Sequence, residues 1–403
     1  MDPSAQVCSN GLSFNKDFSK FEFNDYSFTN NKLMNLTFKL QTTSLSNPPG
    51  ITYVNSKNYE DLQTIKDRFD DPKFRTARDN TNPFEKIGRS IFMSRAAIKL
   101  ANSDAIHKLT NDVFTFDQQQ SDVAFTFCDI AAGPGGFTQY IQYRFPFSKG
   151  YGITLNHPSL NWNFKLLDMN RFTAYYGNDN TGDLYVHSED FIDYVIDKEN
   201  YGVDLVTGDG GFDLEENSDK SILKIQEFLS SRLFLVQALV GIFVLKLGGT
   251  LMIKVFDTVT RFSAELLYVL SCCFESIILF KPVSSRPANG ERYLICKGRR
   301  ENISDYKLIL LDAARNYGEN EYLTKLFEEE LPDDFIEWIT MNNNMNTERQ
   351  LNSGIDILNY INDTYIGSET YNLDKFLTIW NLPDNVTKKF EKRYQRRSKN
   401  RKF

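Results

Sequence analysis

The sequence predicts an α/β protein with a doubly wound, mostly parallel Rossmann-like sheet and helices on both faces. Three observations carry this expectation. From Asp122 to Lys297, short apolar runs alternate with helix-compatible stretches, the rhythm of βα units. The stretch "FTFCDIAAGPGGFTQYI" reads as a strand, a glycine turn holding Gly133, Gly135 and Gly136, and a helix start. The chain has 403 residues, 41% of them hydrophobic and 14% aromatic, which suffices for a sizeable core. Taken in order, the first 45 residues are polar and Asn-rich and are expected to be loosely held. "NPFEKIGRSIFMSRAAIKLANSD" sets Phe92, Ala96 and Leu100 at helical spacing, which puts Lys99 on a helix leading toward the first strand. "VAFTFCDI" is that strand, and the next helix runs from about Thr138 to Tyr143. "GYGITL", "YGVDLVTGD" and "GTLMIKVF" are further strands. "LFLVQALVGIFVLKLGG", interrupted by Gln237 and Lys246, is shorter than the roughly 20 residues of a spanning helix and reads as a buried one. "FESIILFKP" and "RYLICKG" follow each other without a helix, so the sheet should end in an antiparallel pair. Residues 302–390 are polar and helix-compatible, with "FIEWI", "IDILNYI" and "KFLTIWNLP" as amphipathic pieces. The expected organisation is an N-terminal extension (1–55), an α/β domain (56–300), a helical appendage (301–386) and a basic tail (387–403).

Composition narrows the classes of function. A formal charge of −7 argues against a uniformly basic nucleic-acid coat but leaves a local groove open. The ending "KKFEKRYQRRSKNRKF" carries nine Lys and Arg against one Glu; it is read as a solvated end, with RNA contact or nuclear targeting as the alternative. Five cysteines, an odd number without a Cys-x-x-Cys pair, fit neither a disulfide framework nor a zinc site. They point to a reducing intracellular compartment, with nucleus, cytoplasm and a viral replication site all open. Cys272 and Cys273 sit in an apolar helical run as core residues, and His107, His157 and His187 lack metal-ligand spacing, so no structural metal is expected. The first residues are polar, without a signal pattern, and neither a membrane association nor a second large catalytic domain is expected.

The glycine turn suggests a nucleotide-like ligand, because glycine lets backbone come close and N–H groups at a helix N-terminus attract polar or anionic groups. "GPGG", with Pro134 inside, lacks the third glycine of G-x-G-x-x-G, and no G-K-[ST] follows; both features disfavour NAD and ATP. Asp183 in "NTGDLY" is the adenine-side candidate, with a surface loop acid as the competing reading. Asp209 ends the strand "YGVDLVTGD", Lys254 lies inside "LMIKVF", and Glu291 opens "ERYLICKG". Open α/β sheets place ligands at strand C-termini. A lysine within an apolar strand needs an acidic neighbour, which Asp209 or Glu291 can supply. A structural ion pair at a sheet edge would account for the same residues.

In order and local context, Lys99 in "SRAAIK", Asp209 in "GDGG", Lys254 in "MIKVFD" and Glu291 in "SSRPANGERYLICKG" resemble the Lys-Asp-Lys-Glu set of FtsJ-type ribose 2′-O-methyltransferases. Within that group the chain resembles the eukaryotic-type cap-specific mRNA 2′-O-methyltransferases that make cap 1, through "NPFEKIGRSIFMSRAAIKLAN", "DIAAGPGGF", "CCFESIILFKP" and "SRPANGERY". The similarity runs from about residue 60 to 300, and more faintly through "KFLTIWNLPDN". The resemblance implies S-adenosyl-L-methionine as cofactor, held by Ala131, Ala132, Gly133, Pro134, Gly135, Gly136 and Phe137 with Ser94, Asp183 and Leu184. It implies capped mRNA as partner, contacted through Lys66, Arg78, Asn217 and Asn289, and other capping enzymes or RNA polymerase as further partners. Ser94 and the clipped loop "GNDNTGDL" depart from the commoner family pattern.

Methyl transfer to a 2′-hydroxyl needs in-line alignment and removal of a proton from a poor nucleophile. Lys254 is the expected base. Desolvation and the neighbouring Lys99 ammonium would lower its pKa, while Asp209 and Glu291 would oppose that shift and orient the lysines and the hydroxyl. The sulfonium is already activated, so the chemistry asks for no metal. Two alternatives stand beside this reading. One is an FtsJ-type enzyme for internal ribosomal or transfer RNA positions; the other is a non-catalytic RNA- or cofactor-binding module of a capping assembly.

Overall fold

The computed structural model describes residues 6–7, 13–14, 27–30, 36–110, 125–212, 226–318, 321–367 and 371–383. In chain order these form β1 (Gln6–Val7), β2 (Ser13–Phe14), β3 (Phe38–Ser44), α1 (Ser56–Asp67), α2 (Phe74–Thr81), a 3-10 turn (Pro83–Ile87), α3 (Arg95–His107), β4 (Thr126–Ile130) and α4 (Gly136–Arg144). There follow β5 (Lys149–Ile153), β6 (Phe172–Tyr175), α5 (Leu184–Lys198), β7 (Val203–Gly208), α6 (Gln226–Val244), β8 (Leu245–Phe256) and α7 (Arg261–Cys273). The chain continues through β9 (Phe274–Phe280), β10 (Glu291–Arg299), α8 (Ser304–Arg315), β11 (Glu321–Phe327), α9 (Asp333–Ile361) and α10 (Leu373–Ile379).

Seven strands form the central sheet in the order β6-β5-β4-β7-β8-β10-β9. β6, β5, β4, β7 and β8 run parallel, while β10 is antiparallel to both β8 and β9, as the missing helix between the last two apolar runs predicts. Strand order reverses between β4 and β7, so the crevice for a ligand opens beyond Ile130 and Gly208.

Side chains along each strand alternate between two cores. Cys128, Ile130, Val206, Leu251 and Ile253 face a cluster shared with α5, α6 and α7. Phe127, Leu205, Met252, Tyr293 and Ile295 face the cluster of α3 and α4. Lys254 follows the parity of Met252 and therefore points toward the α3 side. The apolar run anticipated as one buried helix divides at Val244: α6 is long and apolar enough to cross a membrane by length and composition, yet most of it is buried in the fold, and Leu245 already belongs to β8.

Two corrections concern the ends of the chain. Within the expected helical appendage, 321–327 is a strand, because Tyr322, Leu323, Leu326 and Phe327 are buried while β11 pairs antiparallel with β3 of the N-terminal extension. No seam follows residue 300: Leu310 and Ala313 of α8 lie in the same core as α6 and α7. α9 packs on α1 and α2, and Phe376 of α10 meets Phe84 edge-on with ring centroids 4.9 Å apart. The basic tail lies outside the described residues.

Candidate active site

β4 delivers the glycine turn. Ala131 leaves the strand with φ 49° and Gly135 caps α4 with φ 102°, a left-handed backbone that favours glycine. The three glycines are also crowded by the protein itself. A Cβ on Gly133 would lie 1.6 Å from the Leu160 carbonyl oxygen, one on Gly135 2.8 Å from Leu167 Cδ1, and one on Gly136 2.3 Å from Ser94 Oγ. The expectation that an approaching ligand explains these glycines is therefore incomplete: close packing against 160–167 and α3 requires them without any ligand.

Around the turn, some residues are placed to hold a cofactor and others are not. The Ser94 hydroxyl, at the N-terminus of α3, is a buried oxygen without a hydrogen-bond partner, and so is the Trp162 indole nitrogen, whose ring abuts Gly135. Orphaned polar atoms beside two helix N-termini without a side-chain cap fit a polar small molecule. Asp183 is half-buried and caps α5, its carboxylate accepting from the Tyr185 N–H at 2.8 Å. Leu184 and Phe137 are buried in the core, so their side chains serve packing. The loops before and after β6 are tied together: Asn161 donates to Asn156 Oδ1 at 2.7 Å, Asn156 donates to the Asn180 carbonyl at 3.0 Å, and Tyr176 donates to Asn161.

The four residues of the Lys-Asp-Lys-Glu set arrive from four elements. α3 brings Lys99, the end of β7 brings Asp209, β8 carries Lys254 and β10 opens with Glu291. Lys99 Nζ lies 2.7 Å from Glu291 Oε1, and Lys254 Nζ lies 3.2 Å from Asp209 Oδ1. Antiparallel register places Tyr293 opposite Lys254, and its phenol donates to the same Asp209 oxygen at 2.6 Å. Gly211 leaves room for the lysine tip, since a Cβ there would sit 3.0 Å from Lys254 Nζ. Ser285 donates to Glu291 Oε1 at 2.6 Å.

Electrostatics distinguish the members of this set. Burial works to lower the Lys99 pKa, but the charges of Glu291 and Asp209 outweigh it and raise the pKa above the ordinary lysine value, so Lys99 is a fixed cation. Burial works the opposite way on Glu291, where Lys99 foremost, then Lys254 and Lys281, hold the carboxyl well below its usual range. Asp129, fully buried at the end of β4, is pushed up to about 7 by burial, against hydrogen bonds from Thr138 and Thr207.

The residues expected to face RNA are dispersed. Arg78 Nε donates to Asp79 at 3.1 Å, and Asp79 lies 3.7 Å from Arg286, which reaches Glu85 at 3.0 Å; Glu85 also pairs with Arg95, one turn before Lys99. An ion chain thus leads from Arg78 to the cluster. Asn289 stands on the loop between β9 and β10, two residues before Glu291. Lys66 lies near the end of α1, and among the described residues no hydrogen bond or ion pair ties its side chain to the cluster. Asn217 lies outside the described residues. Tyr293, Ser285 and Lys281 belong to the site without having been singled out by sequence; the spacing Glu-x-Tyr on one strand, which puts both side chains on one face, was the available signal. Among the described residues no group of three or more His, Cys, Asp or Glu is placed to hold a metal.

The fold and this cluster define the class: the chain belongs to the FtsJ-like methyltransferase family, whose profile matches residues 92–299. More particularly, it is 35% identical over 350 residues to cap-specific mRNA (nucleoside-2′-O-)-methyltransferase 1 of Xenopus laevis, covering 79% of this chain and 40% of the relative. The Homo sapiens protein of the same name is 33% identical over 353 residues, covering 80% and 41%. The chain therefore spans about 40% of the length of these curated relatives. Among solved structures, a putative ribosomal RNA methyltransferase from Plasmodium falciparum is similar at 21% identity with a TM-score of 0.33, covering 52% of this chain and 98% of that one. That similarity is too loose to carry an argument.

Proposed function

We propose that the chain methylates the ribose 2′-hydroxyl of the first transcribed nucleotide of capped mRNA, converting cap 0 to cap 1. The observation that carries this reading is the meeting of Lys99, Asp209, Lys254 and Glu291 at the strand ends beside the glycine turn. The names of the relatives support the capped substrate.

S-adenosyl-L-methionine fits the turn, with Ser94, the 131–136 backbone and the Asp183 loop as its holders; when bound it supplies a methyl group on a sulfonium. The chain's own task is to bring up the hydroxyl and take its proton. Lys99, fixed as a cation on Glu291, orients the sugar and stabilises developing negative charge on its oxygen. Lys254 Nζ, positioned by the Asp209 oxygen that Tyr293 shares, accepts that proton in its neutral amine form. Asp209 then holds the ammonium that forms. Lys66, Arg78 and Asn289 face the RNA.

The test offers one short RNA in capped and uncapped forms, with labelled cofactor, and locates the methyl by mass spectrometry. Methyl on the first ribose of the capped form alone is expected. Transfer to an internal position of uncapped RNA would reassign the substrate, and cofactor binding without transfer on any RNA would make the chain a binding module.

A further inference from the structure

Lys281 follows β9 directly and is buried, 4% exposed, behind the catalytic cluster. Its amine is surrounded by three acceptors on the far arm of its own hairpin: the Asn289 carbonyl at 2.9 Å, Asn289 Oδ1 at 2.5 Å and the Glu291 carbonyl at 2.6 Å. Burial foremost, with the Arg349 and Lys99 charges, drives this amine toward its neutral form, and Glu291 and Asp257 oppose. A neutral amine has only two N–H for these three acceptors, whereas an ammonium has three, and we read the geometry as the ammonium.

The contact to Oδ1 has a chemical consequence. An Asn amide can present oxygen or nitrogen to a ligand, and its partners decide which. With Oδ1 occupied by Lys281, the NH₂ of Asn289 is left as the group available to a ligand; the residue is half-buried, and that nitrogen has no hydrogen bond among the described residues. We propose that Lys281 is a positioning residue that locks Asn289 as a hydrogen-bond donor toward an acceptor oxygen of the RNA, while pinning the backbone from which Glu291 projects. This rests on the function proposed above. The Glu291 carboxylate has its own holders in Lys99 and Ser285, so the effect of Lys281 should fall on RNA recognition more than on turnover.

Steady-state methyl transfer to capped RNA tests it. Lys281→Met should raise KM for RNA about tenfold, with kcat within about threefold and cofactor binding within about twofold. Asn289→Asp keeps an oxygen for Lys281 but loses the donor, and should raise KM by a similar factor; a merely structural role for Lys281 would instead make the Lys281→Met and Asn289→Ala losses add in full. Adding Lys281→Met to Asn289→Ala should cost no more than about twofold beyond Asn289→Ala alone. Wild-type KM in Lys281→Met, or a KM unchanged in Asn289→Asp, overturns the inference while the proposed function stands. Should Lys281→Met fail to fold, Lys281→Arg carries the same comparison with Asn289→Ala. A wild-type protein inactive on capped RNA overturns both.

Discussion

Removing the Lys99 ammonium should cost at least as much stability as removing it together with the Glu291 charge. Lys99 Nζ and Glu291 Oε1 are 2.7 Å apart, and the two side chains are 16% and 8% exposed. At an effective dielectric of about 20, charges at this distance attract by roughly 6 kcal/mol, and the desolvation of both groups offsets much of it. Lys99→Met leaves a buried carboxylate facing Ser285 and the more distant Lys254 and Lys281, so the expected loss is about 3 kcal/mol, the low end for a broken buried pair. Glu291→Gln keeps an oxygen for Ser285 and Lys99 and should cost about 2 kcal/mol. Lys99→Met with Glu291→Gln strands no charge and should be more stable than the two separate losses predict by at least about 2 kcal/mol. Urea unfolding at pH 7 with a common slope measures all three. A Lys99→Met protein within about 0.5 kcal/mol of wild type, or a strictly additive double variant, would refute the claim that these groups form one desolvated pair. The sign of the pH dependence follows from the depressed Glu291 carboxyl. Its contribution is fully present above the ordinary value of 4.5 and is lost as pH falls below it, and Glu291→Gln should remove that part of the acid sensitivity.

Three further outcomes are expected. Lys254→Met should lower methyl transfer by about 10³-fold while RNA affinity stays within about threefold, measured by single turnover and by filter binding; retained transfer would move the base elsewhere. Without any cofactor, Gly133→Ala should destabilise by about 3 kcal/mol or more, because its Cβ would meet backbone at Leu160, whereas Gly50→Ala, with nothing within 4 Å, should be nearly silent; equal melting temperatures would refute the packing account of the turn. Asp129 has a folded pKa of about 7, above its ordinary 3.8, so the folded state holds the extra proton between these values and stability should decline as pH rises through that window. Asp129→Asn should flatten this decline, and an unchanged slope in denaturant melts from pH 4 to pH 8 would assign it to another group.

The sequence by itself determined the kinds of element and their order. Apolar runs in "FTFCDI" and "GTLMIKVF", helical spacing through Ala96 and Leu100, and the glycine turn depend on neighbouring residues only, and they became strand, helix and turn, although the helix starts at Arg95 and leaves Phe92 in the bend before it. Lys99, Asp209, Lys254 and Glu291 could be singled out because each lies in a distinctive local context: Asp209 and Glu291 at strand ends, Lys254 inside an apolar strand and Lys99 on the helix before the first one. The pairing could not: either acid was available to Lys254, and the antiparallel register of β8 and β10, with α3 packed across that face, gave Asp209 to Lys254 and Glu291 to Lys99. The same register set Tyr293 opposite Lys254, and the path of the 281–291 hairpin buried Lys281 against its own far arm. "EYLTKLF" became a strand only because 38–44 supplied a partner from the other end of the chain. Periodicity is a property of adjacent residues, whereas ion pairing, orphaned hydroxyls and the crowding of Gly133 by Leu160 arise where distant segments close to within a few ångströms, and that closeness is decided by packing of the whole sheet.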